Sequence, residues 1–420
     1  MNKIIQQLLK SQPFPLKAQG TSMIPLFQSN DVICFKKINF NLLKINDIIV
    51  IQLKNNFVTH RVIYKTDNYL ITKGDNNPYS DGKIYPRQII GKVTKVKRDR
   101  KEFDPNQIYL LQSSLYFQEV VKIKNAFEKE KIDFVFLKGL PLHLYFEKTH
   151  PKRVYADCDV LINKKDFQKA EKIINRFGYK RTDEKNKQVE NNYFKIINGF
   201  SVVFDIHLEP AFLMTQFSGL EALYPQKLID QLTDELLNNK QQIKINDEFF
   251  FILNTKYLIL YLALHLFHHN FRGAFRYQFL DTVIHRSLDS RLRGNDRSSE
   301  WKIITQKITE YHLGNFVYPV FYLLKKYYKT LLPRPFVLTM KQWNNETMNH
   351  YLKINIFDDE SRLHAGINRF KNIFFLSPYP LWRKVFIFTN FEVIYTIVWI
   401  IFKKLSSFFS TRRPNPLSLS

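Results

Sequence analysis

Residues 134–139 read FVFLKG, and residues 153–162 read RVYADCDVLI. Four apolar residues bounded by Lys138-Gly139 fit a buried strand that ends where a helix begins. The second stretch reads as another strand, over 154–162, on which Asp157 and Asp159 lie two apart and project to one face. A divalent-metal clamp is built this way: two carboxylates hold Mg²⁺, and the metal holds the oxygens of a triphosphate. Lys138 and Gly139, at the mouth of a helix, can meet phosphates with an ammonium and a backbone amide. A helix is expected over 163–177, where Phe167, Ala170, Ile173, Ile174 and Phe177 keep the 3.6-residue period and Gly178 stops it. A third strand over 200–208 carries Asp205, which can supply a third carboxylate. Strands mixed with helices across 106–210 indicate an α/β or α+β unit.

Upstream of this unit, 110–131 is helix-periodic; downstream, the chain reads as mostly helical from about 222. His265, His268 and His269 share one helix face, with Asp281 and His285 beyond. No glutamate lies between them in the HExxH manner, so they read as helix packing rather than a metal site. The stretch 287–297, SLDSRLRGNDR, is polar and aperiodic. It resembles the translated dispersed repeats that bacterial genomes insert into surface loops, and it receives no function. Residues 385–402, VFIFTNFEVIYTIVWIIF, are marginal for spanning a bilayer, with Asn390 and Glu392 inside. They read as a buried or interfacial helix. Basic residues flank both ends (Arg383, Lys384, Lys403, Lys404), so no orientation follows.

Toward the N-terminus, short apolar runs at 32–35, 48–53, 61–64, 69–72 and 89–96 are separated by turn-rich joints. That spacing reads as a small all-β domain closing near residue 105. Residues 1–10 read as a short amphipathic helix, without the apolar core of a secretory signal. Within the β-domain, Gly20-Thr-Ser-Met-Ile-Pro25 places Ser22 in an exposed turn. A serine hydroxyl is a weak nucleophile until a base takes its proton and a third group orients that base. His60, in Thr59-His-Arg-Val-Ile63 at an expected strand start, can be the base. A carboxylate from the Gly74–Asp81 turn, within Thr72-Lys-Gly-Asp-Asn-Asn-Pro-Tyr-Ser-Asp81, can fix its tautomer.

Taken in order, these boxes resemble the S26 signal peptidase family, in its endoplasmic-reticulum, archaeal and SipW-like branch, where histidine is the base; related branches use lysine. The resemblance covers about 14–96 and implies a coiled all-β fold. It makes Ser22 the nucleophile, His60 the general base and Asp81 the group that orients it, with the Ser22 N–H as oxyanion donor. Asp75 matches the third box's other acidic position, and is expected to bond the turn amides of Asn76 and Asn77. One departure stands out: family members carry a transmembrane helix ahead of the serine box, and none is read here. The second set resembles the uncharacterised nucleotidyltransferase family of the polymerase-β-like superfamily, over about 115–350. Its boxes match Leu137-Lys-Gly139, Arg153-Val-Tyr-Ala-Asp-Cys-Asp159 and Phe204-Asp-Ile-His207, with Ala156 and Cys158 as small departures. The resemblance implies Mg²⁺-dependent transfer of a nucleotide from an NTP. It makes Asp157 and Asp159 metal ligands and Asp205 either a third ligand or the base, and puts Lys138, Gly139 and Arg153 on the nucleotide.

The chain has 420 residues, 45% hydrophobic and 24% charged, which excludes wholesale disorder and fibrous classes. Two cysteines cannot build a disulfide framework and suit a reducing compartment. The net charge of +25 favours an anionic membrane face or nucleic acid as partner, unless it only solvates the surface. The expectation is therefore a multidomain chain: an all-β S24/S26 peptidase-like domain over 1–105, and an α/β nucleotidyltransferase domain over 106–350. A helical tail, able to sit against a membrane, fills 351–420. Because NTPs are cytoplasmic, both sites are placed in the cytoplasm, the tail touching the inner membrane face through 385–402. The peptidase substrate is then an intracellular polypeptide. The alternative is a non-catalytic basic scaffold, or a toxin–antitoxin-like binding module, that keeps both folds.

Overall fold

The computed structural model describes residues 15–24, 26–54, 56–153, 155, 157–182, 190–210, 222–288, 297–360, 362–389, 391, 394, 395 and 398. The expected helix at 1–10 lies outside these residues, as do most of the 287–297 insertion and much of 385–402. Among the described residues no helix is long and apolar enough to cross a membrane.

The first eight strands are β1 (Pro15–Lys17), β2 (Val32–Lys36), β3 (Ile48–Leu53), β4 (Asn56–Lys65), β5 (Leu70–Lys73), β6 (Lys83–Ile84), β7 (Ile89–Arg98) and β8 (Lys101–Phe103). They form one antiparallel sheet in the order β1-β2-β7-β3-β4-β5-β6, with β8 on β7. Strand β3 explains why one sheet serves two cores. Its residues alternate sides: Ile48 and Val50 join Phe27, Phe35 and Val93, while Ile49 and Ile51 join Leu43, Val62 and Leu70. Both faces are therefore dry. Register shifts beside Cys34, Val50 and Val62 curl the sheet enough to allow it.

The sheet gives way to α1 (Pro105–Lys129), capped by Asp104, whose side chain accepts from Asn106 N–H, and opened by Pro105. Then come β9 (Phe134–Lys138), α2 (Leu140–Glu147), β10 (Cys158–Ile162), α3 (Phe167–Arg176), β11 (Lys180–Arg181), β12 (Glu190–Ile197), β13 (Phe200–His207), α4 (Gln226–Asn238), β14 (Lys240–Ile245) and β15 (Glu248–Leu253). The seven strands make a mixed sheet, β11-β12-β13-β10-β9-β15-β14, with β10–β13 and β9–β15 parallel. The helical half is α5 (Thr255–His268), α6 (Ala274–Leu288), α7 (Arg297–Glu310), α8 (Gly314–Tyr328), α9 (Arg334–Met340), α10 (Met348–Tyr351), α11 (Arg362–Leu376) and α12 (Leu381–Val385). Every residue of α5 from 257 to 267 is buried, which marks it as the central helix of the layer.

Four sequence readings change. The hairpin β14–β15 lies where helix was expected; KQQIKI alternates at period two, and Asn246, with φ 54°, turns the chain. Where a strand was expected over 154–162, β10 starts at Cys158, and the described Tyr155 and Asp157 ahead of it are not strand. His60 sits in the middle of β4, not at its start. The segment after 350 is not a separate body: Tyr351, Ile356, Phe357, Ile373 and Leu376 share one core with the mixed sheet. That core also reaches Tyr64 and Ile71 of the first sheet. The Tyr64 hydroxyl donates to Tyr327 O at 2.7 Å, and its ring lies 4.9 Å from that of Phe357.

Candidate active sites

On β4, His60 faces inward and is buried. The Ser22 hydroxyl donates to its Nε2 at 3.0 Å, and its Nδ1–H donates to Asp81 Oδ2 at 2.7 Å. Thr72 on β5 donates to the same carboxylate oxygen at 2.6 Å. Since an ionised carboxylate only accepts, this arrangement leaves Nε2 as the acceptor that faces the serine. Asp81 is placed by its own backbone, its N–H donating to Thr72 O at 2.8 Å. Asp75 points elsewhere. Rather than bonding turn amides, it takes the Arg61 guanidinium in a fork, with contacts of 2.6 and 2.5 Å. Arg61 also reaches the Tyr109 hydroxyl and donates to Lys152 O at 2.7 Å. Burial opposes its charge, but Asp75 and then Tyr109 hold the guanidinium above its ordinary value. The amide of Asn76 donates instead to Ser22 O at 2.8 Å, tying the serine turn to the aspartate turn. Between them Gly74 packs closely: a Cβ there would lie 2.7 Å from Ser22 O and 2.9 Å from His60 Nε2.

The second site follows from strand register. Asp159 on β10 is paired in register with Asp205 on β13 and with Lys138 on β9. One carboxylate oxygen from each of Asp157, Asp159 and Asp205 falls within 4.8 Å of the others. Lys138 Nζ lies 2.9 Å from Asp157 and 2.8 Å from Asp159. His207, two residues along β13 from Asp205, donates from Nε2 to Asp159 at 2.8 Å, and Asn192 donates to Asp205 at 2.8 Å. Burial first, then Asp159 and Asp157, push the Asp205 carboxyl up to about 8. Burial works against the Asp157 charge too, but Lys138 overrides it and leaves that carboxyl low. Burial likewise opposes Lys138, and Asp159 and Asp157 reverse it, holding the ammonium well above its usual range. Asp205 is thus raised while Asp157 is lowered, because Lys138 bears on Asp157 more strongly than burial does. Lys138 therefore faces the carboxylates instead of standing clear of them.

Gly139 takes φ 110° where β9 turns into α2, and a Cβ would meet Cys158 Cα at 3.0 Å. Only glycine satisfies both demands. Arg153 stacks on Tyr155 and Phe275, at 5.0 and 4.3 Å from the ring centres. The donor set is all oxygen, as a hard divalent cation requires. Asp159 Oδ2 is buried with no donor aligned on it, although the Lys138 ammonium is near. The residues fit Mg²⁺. The histidines at the end of α5 pack on one another, His265 and the capping His269 being 3.2 Å apart through Nε2.

A family model described as an uncharacterised nucleotidyltransferase matches residues 106–329. The chain belongs to that family. A second model, described as Peptidase S24-like, matches residues 3–94, so the chain joins a peptidase S24-like domain to the nucleotidyltransferase domain. No curated protein matches the chain. A solved structure, an antigenic nucleotidyltransferase-like protein from Paracoccidioides brasiliensis, is 11% identical, with a TM-score of 0.27, over 48% of this chain and 89% of that one.

Sequence reasoning passed over Thr72, although it opens the quoted aspartate box, and gave no role to His207, which the i, i+2 spacing to Asp205 places on the same strand face. Arg276, which lies near Asp157, had no sequence signal at all.

Proposed function

We propose that the chain is a bifunctional enzyme: a serine endopeptidase of signal peptidase type and a Mg²⁺-dependent nucleotidyltransferase. The observation that supports the first activity is the unbroken line from Ser22 Oγ through His60 to Asp81. His60 Nε2 takes the hydroxyl proton as Ser22 Oγ attacks the scissile carbonyl carbon, and returns it to the departing amine. Asp81, held by Thr72, keeps Nδ1 protonated and stabilises the imidazolium that forms. The Ser22 N–H lies where the oxyanion develops. Water then attacks the acyl-serine, with His60 again the base. Asp75 supports the turn through Arg61 and touches no reacting group.

In the second site Asp157, Asp159 and Asp205 would hold Mg²⁺, which when bound supplies charge neutralisation and Lewis acidity at the phosphates. His207 fixes the Asp159 carboxylate and Asn192 fixes that of Asp205. Lys138 and Arg153 bring positive charge to the phosphate tail, and Asp205 is suited to receive the acceptor hydroxyl's proton. NTP supply puts both sites in the cytoplasm, with an intracellular polypeptide as peptidase substrate. Exposed Trp382, Phe386, Phe391 and Tyr395, beside Arg383 and Lys384, support attachment to an anionic membrane surface.

Incubation with a proteome-derived peptide library, read by mass spectrometry against Ser22→Ala, tests the peptidase. Transfer of label from α-labelled NTPs, compared with Asp157→Asn/Asp159→Asn, tests the transferase. Cleavage by Ser22→Ala equal to wild type, or transfer by the double variant equal to wild type, would remove the respective activity. The scaffold reading would take its place.

A further inference from the structure

A cavity of about 240 Å³ is walled by Arg272, Arg276, Arg369, His269, Asp359 and Glu360, and its Arg276 feels the charge of Asp157 and Asp159. Its charge is unbalanced. Glu360 is already engaged by Arg272 at 3.0 Å, Asn368 at 2.9 Å and Asn270 at 2.7 Å. Asp359 is engaged by Lys73 of the peptidase domain. Among the described residues no carboxylate lies within ion-pair distance of Arg276, whose guanidinium stacks on Phe275 at 4.5 Å. Arg153 stacks on the same ring from close by. The backbone makes room for this: Gly273 has φ 104°, and any side chain there would run into Arg276. Burial pulls the Arg276 guanidinium down to about 10, with Asp359 and Asp157 acting against burial and Arg153 with it. A sequestered cation with no carboxylate in ion-pair reach is stabilised by an anion, and arginines suit the oxygens of phosphates.

The same wall reaches the peptidase. The Asp359 N–H donates to Pro78 O at 2.7 Å, and Asp358 accepts from Ser80 N–H at 3.0 Å and from the Ser80 hydroxyl at 2.7 Å. Pro78 and Ser80 belong to the turn that ends in Asp81. We propose that the cavity binds a polyphosphate group, the tail of a nucleotide or a free polyanion, and that its occupant is felt by the Asp81 turn through Asp358 and Asp359. An anion on Arg276 offsets the attraction that Arg276 exerts on Asp359 at longer range and repels both aspartates, so the turn loses part of its anchorage.

The inference deepens the transferase reading and rests on it for the nucleotide, but binding measured without metal stands apart from any transfer. Tripolyphosphate, ATP and sulfate are titrated calorimetrically into the full chain in EDTA. Saturable tripolyphosphate binding is expected, weakened tenfold or more in Arg276→Gln and partly kept in Arg276→Lys; Arg369→Gln replaces Arg276→Gln if the latter fails to fold. Tighter binding of ATP than of tripolyphosphate identifies the nucleotide tail, and equal binding identifies the free polyanion. Hydrogen–deuterium exchange of the peptide covering 72–82 should quicken severalfold in wild type with tripolyphosphate and stay unchanged in Arg276→Gln. This readout needs no peptidase activity. No binding, sulfate binding as tight as tripolyphosphate, or binding indifferent to Arg276 and Arg369 would overturn the site. Binding with unchanged or slowed exchange over 72–82 would overturn the link.

Discussion

Replacing Gly74 by alanine adds one methyl group at the tightest point of the peptidase site. The new Cβ would lie 2.7 Å from Ser22 O, 2.9 Å from Ser22 Cβ and 2.9 Å from His60 Nε2, whereas ordinary contact begins at 3.4 Å. None of these neighbours is the free end of a flexible side chain. Ser22 O is also the acceptor for Asn76 N–H, and His60 is held from behind by Asp81. The strain must therefore part the two turns by roughly half an ångström or more, along the direction of the 3.0 Å bond from Ser22 to His60. Displacement of that order in a reacting pair costs on the order of 10–100-fold in rate. Overpacking should cost about 1–3 kcal/mol of stability, and the protein should remain folded at assay temperature. The assay is kcat/KM on the best library peptide, with thermal melting beside it and Ser22→Ala as the blank. Cleavage within twofold of wild type, by a protein that melts normally, would refute the close seating of Gly74 against the dyad.

Arg61→Met should be severely destabilising, by about 3–5 kcal/mol in chemical denaturation, because it strands the Asp75 carboxylate and the Tyr109 hydroxyl together. A variant that unfolds like wild type would show that solvent reaches this pair. Lys138→Met removes the counter-charge of Asp157 and Asp159, so its melting temperature should rise with millimolar Mg²⁺ far more than that of wild type. Equal rises in both proteins would count against a shared cation and lysine site. Asp205 carries a carboxyl raised to about 8 in the fold, against about 4 when unfolded. Across that window the unfolded chain holds fewer protons than the native one, so stability falls as pH rises from about 4 to 8. Asp205→Asn, measured by denaturant titration in EDTA at pH 5 and pH 8, should flatten the fall; an unchanged slope would mean the proton sits elsewhere.

Much of this was legible from residue order, for physical reasons that differ by element. The β-domain announced itself because its strands are short, β-branched and separated by glycine, asparagine and proline turns. The members of both side-chain clusters could be named because Ser22, His60, Asp81, Asp157, Asp159 and Asp205 stand in ordered boxes. The partners that hold them are harder to see. Arg61 pairs with Asp75 across 14 positions, and Arg276 and Asp157, more than a hundred positions apart in the chain, feel each other's charge. Such contacts depend on tertiary packing, which local periodicity does not encode. The hairpin at 240–253 was missed for a related reason. Its apolar second strand, EFFFIL, runs within two residues of a strongly apolar helix, and a continuous apolar run has no period to distinguish the two.

The fastening of the Asp81 turn has a consequence for engineering. Pro78 and Ser80 find their hydrogen-bond partners in residues 358 and 359, and Lys73 finds its counter-ion there, nearly three hundred positions downstream. Tyr64, on the strand that carries His60, is roofed by Tyr328 and Phe357. Cut free at residue 105, the first domain would expose that aromatic seat and leave the aspartate turn without its outer wall. The two halves thus share one seam: a substitution at 358 or 359 alters the contacts that fasten the turn ending in Asp81.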